Sequence, residues 1–134
     1  MIALVVIGIV ASGVFSYSSH PRARSKRTLC LVDISNLSFA LTRYEEIYVN
    51  FPNGRNAEKI KSLCGNNPQR IVFVSVSPNQ LNLSGEQIDP WGTPYIIDLS
   101  ATSTFVITSA GEDRVLGNSD DLVFNSISNS LVRP

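Results

Sequence analysis

The chain opens with MIALVVIGIVASGVFSY, seventeen residues without a charged side chain, and its first charge is Arg22. No other stretch constrains the fold as strongly. As a helix it rises about 25 Å, at roughly 1.5 Å per residue, against a hydrocarbon core of about 30 Å. Its apolar side chains cover every helical face, which disfavours burial as one stripe on a soluble domain. A retained membrane anchor is therefore the expectation. The alternative is a signal peptide cut near the small residues Ser16, Ser18 and Ser19, although such peptides carry a basic region ahead of the apolar run.

A chain of 134 residues closes one modest core and not two. Eleven basic and eleven acidic side chains cancel, so no global field recruits nucleic acid. Charge is instead local. Arg22, Arg24, Lys26 and Arg27 form a collar behind the apolar run, and the acids gather late, between Glu112 and Asp121.

Cys30, Ile34, Leu37, Leu41, Tyr44 and Tyr48 recur at helical spacing and predict one apolar stripe, ending before Phe51-Pro52-Asn53-Gly54. Anchor, collar and stripe together predict a helical stem kinked near Pro21. Beyond it, residues 57–63 fit a short helix. IVFVSV at 71–76 reads as a strand, and YIIDL (95–99) with TFVITSA (104–110) as a hairpin around SATS. Residues 121–124 add a last extended piece. The expected class is α+β: a long N-terminal helix, apolar anchor then amphipathic half, packed on a small antiparallel sheet. Residues 1–21 form the membrane segment and 22–134 the head.

Between the first strand and the hairpin lies DPWGTPY (89–95), a tight turn whose Trp91 is expected to be pinned into the core. After the hairpin comes SAGEDRVLGNSDDL (109–122), with Asp113 seven and eight residues before Asp120 and Asp121. Calcium takes about six to eight oxygens from carboxylates and carbonyls on a flexible loop, and Gly117 permits the chain to turn back. The plainer alternative is a polar loop of Asx turns. It is not an EF-hand, lacking that loop's alternating acids and terminal glutamate.

The order DPWGTPY, two strands, then a glycine-aspartate loop with a later aspartate pair resembles the major, G-type pseudopilins of type II secretion. DISNLSFALTRYEEIYVNFP (33–52) is similar to the family's helix ending at an aromatic and proline. The resemblance implies a pilin-like fold and calcium held by Asp113, Asp120, Asp121 and the backbone carbonyl of Ala110, with Glu112 and Arg114 facing solvent. It also implies a non-enzymatic subunit that self-associates into a helical filament. That filament would contact inner-membrane secretion components and serve protein export across the outer membrane. Anchored by residues 1–21 in the bacterial inner membrane, the single-pass chain would place its head in the periplasm. The Arg22–Arg27 collar alone favours the cytoplasmic side. The family's apolar segment carries a glutamate, and Met1–Pro21 carries none. A minor pilin of another assembly and a secreted calcium-stabilised binding module are the alternatives.

Catalysis finds little support. The single histidine, His20, abuts the apolar run, far from any candidate nucleophile, and no glycine-rich phosphate cradle is present. Cys30 and Cys64 read as two small buried hydrophobes rather than a disulfide, and offer too few ligands for zinc.

Overall fold

The computed structural model describes residues 21–128 and 130–132. Helix α1 spans Pro21–Tyr48 and helix α2 spans Asn56–Leu63. A single 3-10 turn follows at Pro78–Gln80. Strands β1 (Ile96–Ala101), β2 (Thr104–Ser109), β3 (Leu122–Asn125) and β4 (Ser130–Val132) form one antiparallel sheet in sequence order.

The expected long helix, anchor half followed by amphipathic half, is corrected. α1 is 28 residues long, and among the described residues no helix is long and apolar enough to cross a membrane. The reason is its charge: Lys26, Arg27, Asp33, Arg43, Glu45 and Glu46 punctuate α1. Of the anchor expected over residues 1–21, residues 1–20 lie outside the described residues, and Pro21 opens α1.

Why α1 forms where it does follows from its stripe. Cys30, Ile34, Leu37, Leu41 and Tyr44 are buried at spacings of three and four, with Ala40 beside them. They face Tyr95, Ile97, Phe105, Ile107 and Leu122 of the sheet side, and Ile60 and Leu63 of α2. In β2 burial alternates, with Phe105, Ile107 and Ser109 inward, so the sheet packs α1 on one face only. The helix stops at Val49, whose N–H bonds the Glu45 carbonyl at 2.7 Å while its φ turns to 62°. Phe51 then packs edge-on against Phe105, ring centres 5.6 Å apart.

The strand expected at 71–76 does not form, and the cause is local. Asn67 occupies the backbone of Ile71 with its side chain, accepting from the Ile71 N–H at 2.9 Å and donating to the Ile71 carbonyl at 2.7 Å. Phe73 and Val74 both donate to the Leu63 carbonyl, at 2.8 and 3.2 Å. The groups a sheet ladder needs are thus already engaged. Phe73 packs instead on Tyr44 and Tyr48. The hairpin forms with a tighter loop than SATS suggests. Ala101 pairs with Thr104, a register shift follows Asp98, and Thr102-Ser103 alone makes the turn, with Ser103 at φ 61°. β4 arises in a tail that sequence reading leaves unstructured.

Candidate metal centre

DPWGTPY folds around the carboxylate of Asp89. Its Oδ1 accepts the N–H groups of Trp91 at 3.0 Å and Thr93 at 2.9 Å, while the Asp89 N–H bonds the Thr93 carbonyl at 2.8 Å. Gly92 completes the turn at φ 96°. The tight loop leaves Trp91 only 8% exposed, inside the core. Asp89 Oδ2 in turn accepts the Ser109 hydroxyl at 2.7 Å, and Ser109 Oγ accepts the Gly111 N–H at 3.2 Å. The turn and the acidic loop are joined through one buried serine.

The loop itself is organised by its own side chains. Asp113 Oδ1 accepts the Val115 N–H at 2.9 Å, and its Oδ2 accepts the Asn118 amide at 2.6 Å. Asp120 Oδ2 accepts the Asp113 N–H at 3.0 Å. Asp121 Oδ2 accepts the Gly117 N–H at 2.7 Å. Asn118 also accepts the Asp120 N–H at 2.8 Å and donates to the Val115 carbonyl. Gly111 turns the entry at φ 71°, where a Cβ would collide with the Asp120 carbonyl and carboxylate. Ala110 is fully buried and Asp121 is 6% exposed, whereas Asp113 lies at the surface.

Whether calcium fits can be judged on two observations. In favour, the donor set is all hard oxygen, and Asp121 Oδ1 is buried with no hydrogen-bond partner; an uncompensated buried carboxylate oxygen is costly unless a cation or donor meets it. Against, no three His, Cys, Asp or Glu side chains among the described residues stand close enough to form a metal cluster. The donor chemistry and the orphaned oxygen fit; in this arrangement both oxygens of Asp113 and the Oδ2 atoms of Asp120 and Asp121 are engaged by N–H groups rather than drawn to one point. Glu112 and Arg114 are exposed as expected, but Arg114, at φ 63°, also walls a cleft of about 410 Å³ with Lys26, Asp33 and Trp91.

Sequence reading missed the groups beneath the loop. The Tyr95 hydroxyl donates to Asp33 Oδ2 at 3.0 Å, and Cys30 adjoins both Tyr95 and Ser109. Burial pushes the Cys30 thiol up, with hydrogen bonds to Ser109 and Tyr95 pulling the other way. Burial likewise raises Asp33, opposed by the Tyr95 hydrogen bond, and lifts the Tyr95 phenol far above its ordinary value. The cysteines are unpaired. Only the adjacency of Asp89 to a Pro-Trp-Gly turn signalled any of this.

No protein-family model matches the chain, and comparison with curated proteins and with solved structures found no match.

Proposed function

We propose that the protein is a structural subunit of a pseudopilus-type filament serving type II secretion, with a head stabilised by calcium. One observation carries this reading. The DPWGTPY turn and the 109–122 loop, on which the family resemblance rests, are one physical unit, joined by Asp89, Ser109 and Gly111. In this reading Asp113, Asp120, Asp121 and the Ala110 carbonyl hold the ion. Calcium would supply the partner that Asp121 Oδ1 lacks and lock the loop onto the sheet. Residues 1–21 attach the chain to the bacterial inner membrane, and the head stands in the periplasm. The chain self-associates and meets inner-membrane secretion components.

The test uses the full chain, produced in a Gram-negative bacterium that carries a type II secretion system. Filaments containing it should be recovered by shearing and should be lost on chelation. The purified chain should melt higher with calcium; at free calcium about a thousand times the dissociation constant the gain is about 4 kcal/mol. Magnesium should substitute poorly, because it demands a near-ideal octahedral shell. A chain that stays monomeric in cells and melts identically with calcium and chelator would refute the proposal.

A further inference from the structure

Asn53-Gly54 is the single Asn-Gly pair in the sequence, and the fold leaves it unrestrained. Several other asparagines are held by their amides. Asn56 bonds the Tyr95 carbonyl and the Ile97 N–H, and Asn67 bonds Ser62 and Ile71. Asn82 takes the Ser84 and Glu86 N–H groups, and Asn118 spans the acidic loop. Asn53 is exposed, and among the described residues neither its amide nor the Gly54 N–H has a hydrogen-bond partner.

The glycine is imposed by the start of α2. Glu58 reaches back to accept the Arg55 N–H at 2.7 Å, the carboxylate half of a capping box. That carboxylate lies over Gly54, where a Cβ would collide with it, and Gly54 sits at φ 98°. The positive φ strains any side chain there, and a Cβ would also displace the capping carboxylate. The cap that initiates α2 therefore keeps a glycine, with no side chain of its own to shield its nitrogen, directly after an unbonded asparagine amide.

We propose that Asn53 is a site of spontaneous intramolecular deamidation. The Gly54 nitrogen, losing its proton to water or hydroxide, attacks Asn53 Cγ. The new N–Cγ bond closes a succinimide as the Cγ–Nδ2 bond breaks, and ammonia departs with a proton taken from solvent. Water then adds to either ring carbonyl. Breaking the N–Cγ bond returns an ordinary aspartyl residue; breaking the bond between the nitrogen and the Asn53 carbonyl carbon leaves an isoaspartyl link with one extra backbone methylene. The net reaction consumes water and releases ammonia. Either product places a carboxylate just ahead of the α2 N-terminus, where the helix dipole favours negative charge. The isoaspartyl product also lengthens the connection between α1 and α2.

The experiment holds the native full-length chain in neutral and mildly alkaline buffer, then digests it for mass spectrometry with fragmentation that separates aspartyl from isoaspartyl forms. The peptide spanning Asn53-Gly54 should lose its amide several-fold faster than the peptide bearing Asn118-Ser119. Both products should appear, with the isoaspartyl form in excess, and the rate should rise with hydroxide. Hydroxylamine should cleave the chain at this junction during the reaction, and Asn53→Gln should abolish both signals while leaving the melting temperature unchanged. An Asn53 amide that outlasts that of Asn118, or conversion without any isoaspartyl product, would overturn the proposal.

Discussion

Asp89 is the side chain on which the DPWGTPY turn and the acidic loop both depend, so removing its carboxylate tests the architecture most directly. It is 3% exposed and accepts three hydrogen bonds, from the Trp91 and Thr93 N–H groups and the Ser109 hydroxyl. Hydrogen bonds to a charged group contribute about 1.5–3 kcal/mol each. Simple addition overstates the loss, because Asp89→Ala also relieves the desolvation of a buried charge. Each buried donor left unsatisfied costs about 1–3 kcal/mol, and with three donors released into a partly relaxing turn a loss of about 3–5 kcal/mol is the expected figure here. It is a large share of the roughly 5–15 kcal/mol that holds such a domain together.

Asp89→Asn separates the hydrogen bonds from the charge. The amide oxygen can still accept both N–H groups of the turn, and the amide nitrogen can donate to Ser109 Oγ, so the expected cost falls to about 1–2 kcal/mol. Urea unfolding of the full chain, followed by the fluorescence of its single tryptophan, Trp91, reads both values from the shift in midpoint at constant slope. The same variants should blunt any calcium response of the loop, since Gly111 is held through Ser109. An alanine variant within about 0.5 kcal/mol of the parent, the usual range for a surface change, would refute this account.

Trp91→Ala should cost about 3–5 kcal/mol, the range for truncating a buried aromatic, measured by circular dichroism on denaturant titration; a head of near-normal stability would return Trp91 to the candidates for a binding role. Cys30 is fully buried and its thiol is raised by burial, so in the native chain it should react with maleimide only at the rate of unfolding. Half-buried Cys64 should label first. Asp33 is raised by burial above its ordinary 3.8. The folded state then binds a proton more readily than the unfolded chain, and this contribution is present below the unfolded value and lost as pH rises through the folded one. Asp33→Asn should therefore flatten the fall in stability across that acidic window, and an unchanged pH profile of the melting temperature would count against it.

What the sequence makes legible here is periodicity, and what it hides is the side chain that bonds a backbone. The α1 stripe from Cys30 to Tyr44 follows directly from a repeat near 3.6, and β2 from its β-branched and aromatic composition. IVFVSV has the composition of a strand just as clearly, yet Asn67, several residues upstream, takes the Ile71 N–H and carbonyl for itself. A pattern of apolar residues contains no term for that competition. The same limit governs the 109–122 loop. Its aspartates are conspicuous as charges, but Asn118 links Asp113 to Asp120, and Ser109 ties the loop to Asp89 across twenty residues. Neither looks special in sequence, because an amide or hydroxyl becomes structural only when folding brings a donor to it. The acidic loop thus carries two features that its composition alone cannot separate: N–H groups that satisfy its carboxylates, and a buried Asp121 oxygen without a partner, which calcium would meet only in the proposed reading. Substituting Asn118 should disturb the first without supplying or removing a carboxylate. That makes Asn118→Ala the cleanest variant for asking how much of the loop's order is independent of an ion.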